Sequence, residues 1–167
     1  MTQSIIVMGV TGSGKSTLGS ALARALGWPF LEGDTLHPAA NIAKMAAGTP
    51  LTDADRIPFL ENVANAIVTH QPYVVLSCSA LKRSYRDRIR RADPELILIY
   101  PDLTREQLQA RLQHRQGHFM PAALLDSQLG ELEPPAADER CIRLEGSEST
   151  ERQVETALAA LKSLPAR

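Results

Sequence analysis

Gly9-Val10-Thr11-Gly12-Ser13-Gly14-Lys15-Ser16 stands between a continuous apolar run, residues 4–10, and a segment, 15–26, in which Leu18, Ala21, Leu22, Ala25 and Leu26 recur at spacings of three and four. The octet satisfies G-x-x-x-x-G-K-[ST]. The run before it reads as a strand covered on both faces, and the segment after it as an amphipathic helix stopped by Gly27. In that setting glycines let the main chain curl until its N–H groups point inward at phosphate oxygens, and the start of the helix adds its positive end. Gly9, Val10, Thr11, Gly12, Ser13, Gly14, Lys15, Ser16 and Thr17 are therefore expected to bind ATP, with Lys15 reaching the β and γ phosphates and Ser16 ligating Mg²⁺.

Outward from the loop, strand-length apolar runs alternate with helical patterns along the whole chain. Strands are predicted over residues 4–10, 29–32, 73–78, 95–100 and 141–144. Helices are predicted over 15–26, 38–45, 53–70, 82–92, from Thr104, over 121–132 and over 149–164, with Asp53 placed to cap the third and Thr104 with Gln107 forming a capping box. Five strands joined by helices imply an α/β fold of three layers, a five-stranded parallel sheet with helices on both faces. The 167 residues suit a single domain, 1–167, interrupted only by a short lid at about 115–122.

Composition narrows the function classes. Eighteen Lys and Arg against 19 Asp and Glu leave a net charge of −1, which argues against bulk nucleic-acid binding. No apolar run approaches the roughly 18 residues of a membrane span and no signal peptide is evident, so a cytoplasmic protein is expected. Cys78 and Cys141 lack neighbours at metal-ligand or redox spacing and read as buried, reduced thiols.

A guanine-reading Asn-Lys-x-Asp is absent, and the third strand ends in Ser77-Cys78-Ser79-Ala80 with no Walker-B carboxylate. The metal's acidic partner must come from elsewhere. Asp34, after the second strand, is the candidate, since strand C-termini gather at the ligand crevice. It is also placed to accept the proton of an acceptor hydroxyl or to orient it. His37 can donate to such a hydroxyl, Arg56 has the fork geometry for a carboxylate, and Lys82 and Arg86 fall where cations can face the crevice. Arg111 and Arg115 share a helix face before Gly117, so they can reach adenine or the transferred phosphoryl group.

These blocks resemble the bacterial-type gluconokinase family, phosphate-loop kinases similar in fold to shikimate and nucleoside monophosphate kinases. The likeness is carried by residues 8–16, Gly33-Asp34-Thr35-Leu36-His37-Pro38, Asn41 to Met45, Gly48 to Arg56, Cys78-Ser79-Ala80-Leu81-Lys82, Tyr85-Arg86-Asp87, Gly117-His118-Phe119-Met120, Ser127-Gln128 and Leu132-Glu133-Pro134 through Glu139. It implies transfer of the ATP γ-phosphoryl group to the 6-hydroxyl of D-gluconate, with Mg²⁺, commonly in a homodimer. The sugar acid would lie between Asp34 to His37, the Arg56 helix and the turn from Cys78 to Arg86, while Arg111 and the loop from Pro134 to Glu139 would serve the adenine side. Phe59 stands where many relatives have Trp, and Leu129 where an aromatic is common. A kinase for another small anionic alcohol such as shikimate, or a nucleotide-dependent switch, are the rival readings.

Overall fold

Five short apolar strands assemble side by side because each has both faces covered. In the computed structural model, which describes residues 3–114 and 122–165, β1 (Gln3–Val7) is central and the sheet order is β2-β3-β1-β4-β5. The other strands are β2 (Phe30–Glu32), β3 (Tyr73–Ser77), β4 (Ile97–Asp102) and β5 (Cys141–Glu145), and every pairing is parallel. Helices α1 (Lys15–Leu26), α2 (Ala39–Ala46), α3 (Asp53–Thr69), α4 (Arg83–Arg90), α5 (Arg105–His114), α6 (Ala122–Glu131) and α7 (Thr150–Ser163) complete it.

Alternate side chains along the strands enter two separate cores, as a period of two requires. On one face Ile6, Leu76 and Leu98 pack with Phe59, Leu60 and Val63 of α3 and Tyr85 and Ile89 of α4. On the other, Ile5, Val75 and Ile97 meet Leu18 and Leu22 of α1 and Ala157 of α7. A third cluster, Val10, Leu81, Leu108 and Leu125, seats α5 and α6 at the C-terminal edge of the sheet. The segment between those two helices, containing the expected lid and Arg115, lies outside the described residues. Among the described residues no helix is long and apolar enough to cross a membrane.

Register places the ligand crevice. Val7 is level with Ser77 on one side and Ile99 on the other, so β1 and β3 end together while β4 runs on to Asp102. The chain leaves β1 toward β3 and β2 in one direction and returns to β4 and β5 in the other, and the crevice opens at that reversal.

Boundaries differ from expectation where local hydrogen bonds intervene. β1 stops at Val7 because residues 8–10 turn into the phosphate loop, with Gly9 N–H donating to the Ser79 carbonyl at 3.2 Å. β4 starts at Ile97 because Asp93 holds residues 95 and 96 in a turn. Thr52, not Asp53, caps α3: its hydroxyl accepts from Asp55 N–H at 3.1 Å while the Asp55 carboxylate accepts from Thr52 N–H at 2.9 Å, a reciprocal box. The Thr104–Gln107 box forms as expected.

Candidate active site

The loop 9–14 owes its curl to three positive φ values, 143° at Gly9, 80° at Gly12 and 84° at Gly14, which L side chains rarely adopt. Ser13 Oγ donates to the Val10 carbonyl at 2.6 Å and closes the turn. Helix α1 then begins at Lys15 with no side-chain cap and no acidic residue in its first turn, so its leading N–H groups and its dipole are available to an anion. Lys15 Nζ folds back to the Val10 carbonyl at 3.2 Å, over the mouth of the loop.

The carboxylate that meets Ser16 is Glu32, not Asp34. Glu32 Oε1 accepts from Ser16 Oγ and from Ser77 Oγ, each at 2.6 Å. Glu32 is the last residue of β2, level with Ser77 of β3, so the acidic group missing from the third strand is supplied by its neighbour. An acidic residue closing a predicted strand was the signal for it in the sequence. A hydroxyl beside a carboxylate is a hard-oxygen donor set that fits Mg²⁺; Ser16 would be the direct ligand and Glu32 would fix its orientation.

Asp34 belongs to a 3-10 turn, Gly33–Leu36, that presses against the end of β3. A Cβ at Gly33 would lie 1.9 Å from the Ser77 carbonyl oxygen, so only glycine permits this approach. The turn leaves the Asp34 side chain exposed at the crevice, and among the described residues none hydrogen-bonds it. Asp34 and Lys15 both act electrostatically on the Cys78 thiol, which burial pushes up to about 12. Cys78 is therefore an inert thiol, and with Cys141 it is a free cysteine.

His37 stacks on Phe59 with ring centroids 3.8 Å apart and planes 12° apart. Asn41 Nδ2 lies 3.2 Å from His37 Nδ1 and donates to the Asp55 carbonyl at 2.9 Å. That contact makes Nδ1 an acceptor and puts the ring proton on Nε2. Burial holds His37 below its ordinary value, opposed by the charge of Asp34 and reinforced by that of Arg56.

Arg56 pairs with no acid of its own helix. Its Nη1 donates to Tyr85 Oη at 2.8 Å, and its Nη2 lies 3.2 Å from Glu131 Oε2 of α6. Tyr85 Oη donates in turn to Asp53 at 2.5 Å, and Lys82 Nζ donates to the same Asp53 oxygen at 3.0 Å. Those two bonds hold the Asp53 carboxyl below the usual range. Arg56 and Lys82 thus flank the Tyr85 ring, 5.4 and 5.6 Å from its centroid, and bring two cations to one wall.

Arg86 is not on that wall. Its side chain is 1% exposed, with Nε and Nη2 donating to Glu139 at 2.8 and 3.0 Å and Nη1 to the carbonyls of Ala80 and Leu81 at 2.8 and 3.1 Å. The guanidinium ties the turn before α4 to the loop 135–139; it is structural support for Lys82, not a group facing ligand. Asp138 of the same loop pairs with Arg83 at 2.7 Å.

Arg111 does lie on the phosphate loop. Its Nη2 donates to the Gly146 carbonyl at 2.8 Å, and its Nη1 is 3.5 Å from the Ser13 carbonyl. Gly146, past the end of β5, is accordingly the neighbour of the nucleotide side. Gln128 of α6 was absent from the expected site, yet its Oε1 accepts from Thr11 N–H at 2.7 Å.

Comparison with known proteins agrees with this geometry. A family model described as an AAA domain matches residues 5–135. The gluconokinase of Gluconobacter oxydans (strain 621H) is 50% identical over 145 residues, covering 85% of this chain and 82% of the relative. The thermosensitive gluconokinase of Escherichia coli (strain K12) is 46% identical over 143 residues, 84% of this chain and 76% of its own. The chain belongs to the gluconokinase family. A crystal structure of a gluconokinase from Sinorhizobium meliloti 1021 superposes with a TM-score of 0.90 at 46% identity, over 96% of this chain and 92% of that one. Shikimate kinase from Aquifex aeolicus, at 18% identity and a TM-score of 0.64 over 96% of each chain, shares the fold. As a member of the gluconokinase family the chain is a phosphotransferase, and the shared fold places its phosphate loop at the crevice described above.

Proposed function

We propose that the chain transfers the γ-phosphoryl group of ATP to the 6-hydroxyl of D-gluconate, giving 6-phosphogluconate and ADP. The observation that carries this reading is that Arg56 and Lys82 flank the Tyr85 ring while His37 feels the charges of both Asp34 and Arg56, a grouping that suits a polyol with an acid at one end and a reacting hydroxyl at the other. Gly12 to Thr17 cradle the triphosphate with main-chain N–H groups, and Arg111 covers the nucleoside side. Lys15 swings from the Val10 carbonyl to the β and γ phosphates. Ser16, oriented by Glu32, would hold Mg²⁺, which would supply charge neutralisation on the phosphates. Asp34 orients the attacking hydroxyl in line and takes its proton, and His37 Nε2–H donates to a neighbouring hydroxyl. Arg56 and Lys82 take the carboxylate. Arg115, four residues after Arg111 in the sequence, would neutralise charge on the transferring phosphoryl group. The family resemblance supports a homodimer.

Coupled ADP-release assays across gluconate, other aldonates, shikimate and nucleoside monophosphates test the reading. Gluconate is expected to have the highest kcat/KM; a higher value for any other acceptor overturns the assignment.

A further inference from the structure

Three arginine–carboxylate forks occur among the described residues, the surface pair Arg83–Asp138 and two others that differ in kind. Arg86 and Glu139 are 1% and 0% exposed and meet at 2.8 and 3.0 Å, a closed pair locked into the fold. Arg56 and Glu131 are 21% and 28% exposed and meet at 3.2 and 3.5 Å, through Nη2 to Oε2 and Nη1 to Oε1. That second contact has the two-pronged arrangement a bound carboxylate would adopt on the same edge of the guanidinium, but it is longer than the usual 2.7–2.9 Å of a tight charged bond. Glu131 is the last residue of α6, which Leu125 anchors from the buried cluster, so the fold does not depend on this ion pair to hold the helix.

We propose that Glu131 sets the affinity and charge selectivity of the acceptor site, by occupying on Arg56 the position that the acceptor's own carboxylate must take. This rests on the reading above, in which Arg56 receives the acid. Binding of a sugar acid is then an exchange of one carboxylate for another: the incoming acid displaces Glu131 toward solvent, where its exposure lets it rehydrate. An uncharged polyol has no group to make the exchange and gains nothing from Arg56. The other charged groups facing Arg56 remain in place, because Asp53 is held by Tyr85 and Lys82 rather than by the guanidinium. The exchange lowers affinity for the acid relative to a bare arginine, and it keeps Arg56 from retaining small inorganic anions when no acceptor is bound.

The test is Glu131→Gln, which keeps shape and removes charge, set in a double-mutant cycle with Arg56→Ala. With gluconate as acceptor, KM for the acid is expected to fall about threefold to tenfold in E131Q, in line with exposed ion pairs. KM for ATP should move less than twofold on the same scale, about the noise of an unaffected site. Inorganic sulfate should become a stronger competitor against gluconate in E131Q, and selectivity for gluconate over D-glucitol should widen. In the Arg56→Ala background E131Q should lose its effect on KM, since the competition is for that guanidinium. An unchanged or raised gluconate KM in E131Q, while Arg56→Ala alone raises it, overturns the role of Glu131 and leaves the acceptor assignment intact. If neither variant changes the gluconate KM, the assignment of Arg56 to the carboxylate fails first and this inference with it.

Discussion

Ser16 Oγ donates to Glu32 Oε1 at 2.6 Å, across the gap between the first turn of α1 and the end of β2. In the proposed site this bond would orient the hydroxyl as a metal ligand, leaving its lone pairs directed away from the carboxylate. It also places a negative charge one bond behind that ligand, where outer partners hold and tune a metal's direct ligands.

Glu32→Gln keeps the hydrogen-bond acceptor and removes the charge. A fall in kcat of about 10- to 100-fold is expected, the range for loss of an outer partner, together with a higher Mg²⁺ concentration for half-maximal rate. Steady-state rates over a Mg²⁺ titration check it. A normal Mg²⁺ dependence with lowered kcat would mean Glu32 acts on something other than the metal ligand.

Lys15 and Arg56 should separate chemistry from capture. In the proposed reaction Lys15 meets charge that grows on the phosphoryl group in the transition state, so Lys15→Ala is expected to cut kcat by about 10²- to 10³-fold. Arg56 meets a charge that is the same before and during reaction. Arg56→Ala is therefore expected to raise KM for gluconate by about 10- to 100-fold, the worth of a hydrogen bond to a charged group, with a smaller change in kcat. Initial-rate kinetics with both substrates varied decide it: equal effects of the two variants on KM alone contradict both roles.

The phosphate loop was legible in the sequence because its chemistry is local: eight consecutive residues between a strand and a helix determine it. So were all five strands and the parallel architecture, since apolar runs covered on both faces admit few alternatives. What the sequence did not reveal are contacts between distant segments. Arg86 looked like a crevice cation because it lies one turn into a basic helix, and only the packing of residue 139, which is 53 positions away, turns it inward. Glu131 and Gln128 were invisible as site residues for the same reason, their partners Arg56 and Thr11 lying 75 and 117 positions back. Glu32 and Asp34 differ by two residues, and which carboxylate faces Ser16 depends on a 3-10 turn that no periodicity announces.

Arg86→Ala should act on stability before it acts on catalysis. Removing the guanidinium strands Glu139 without its principal partner in a buried site, and breaking one side of such a pair costs about 3–5 kcal/mol. Chemical denaturation should show the midpoint falling with an unchanged slope. Gluconate KM measured well below that midpoint should change less than it does in Arg56→Ala. A stable Arg86→Ala protein with a large KM defect would return this residue to the acceptor wall.

Acid should weaken the same region through Glu139. Its carboxyl stands at about 2 in the folded protein against an ordinary 4.5; burial acts to raise it, but the hydrogen bonds from Arg86 and the Ala136 N–H prevail. A carboxyl whose folded value is depressed contributes its stabilisation in full above the unfolded value and loses it as pH falls through the folded one. The contribution is therefore complete above 4.5 and decays toward about 2. Glu139→Gln should flatten the stability profile over that window, as followed by denaturant midpoints at successive pH values. A mutant profile parallel to that of the unaltered protein across the whole interval would show that Glu139 is not the linked group.

His37 offers a probe of the acceptor wall near neutrality. Its ring is held below the ordinary 6.5 by burial first, with the Asp34 charge opposing and Arg56 assisting. The folded protein thus binds this proton less readily than the unfolded chain, so the residue's stabilisation is complete above 6.5 and is lost as pH falls through the lower folded midpoint. Protonation also converts Nδ1 from acceptor to donor and cancels its bond to Asn41 Nδ2. Imidazole resonances followed by NMR should titrate with a midpoint below 6.5, and Asp34→Asn should lower it further by removing the opposing charge. Because Arg56 and Lys82 already serve the acid there, a charged ring adds a third cation beside the incoming acid; gluconate KM should therefore fall as pH drops through that midpoint in the unaltered enzyme and stay level in His37→Gln. A midpoint above 6.5, or one indifferent to Asp34→Asn, would separate His37 from the groups around it.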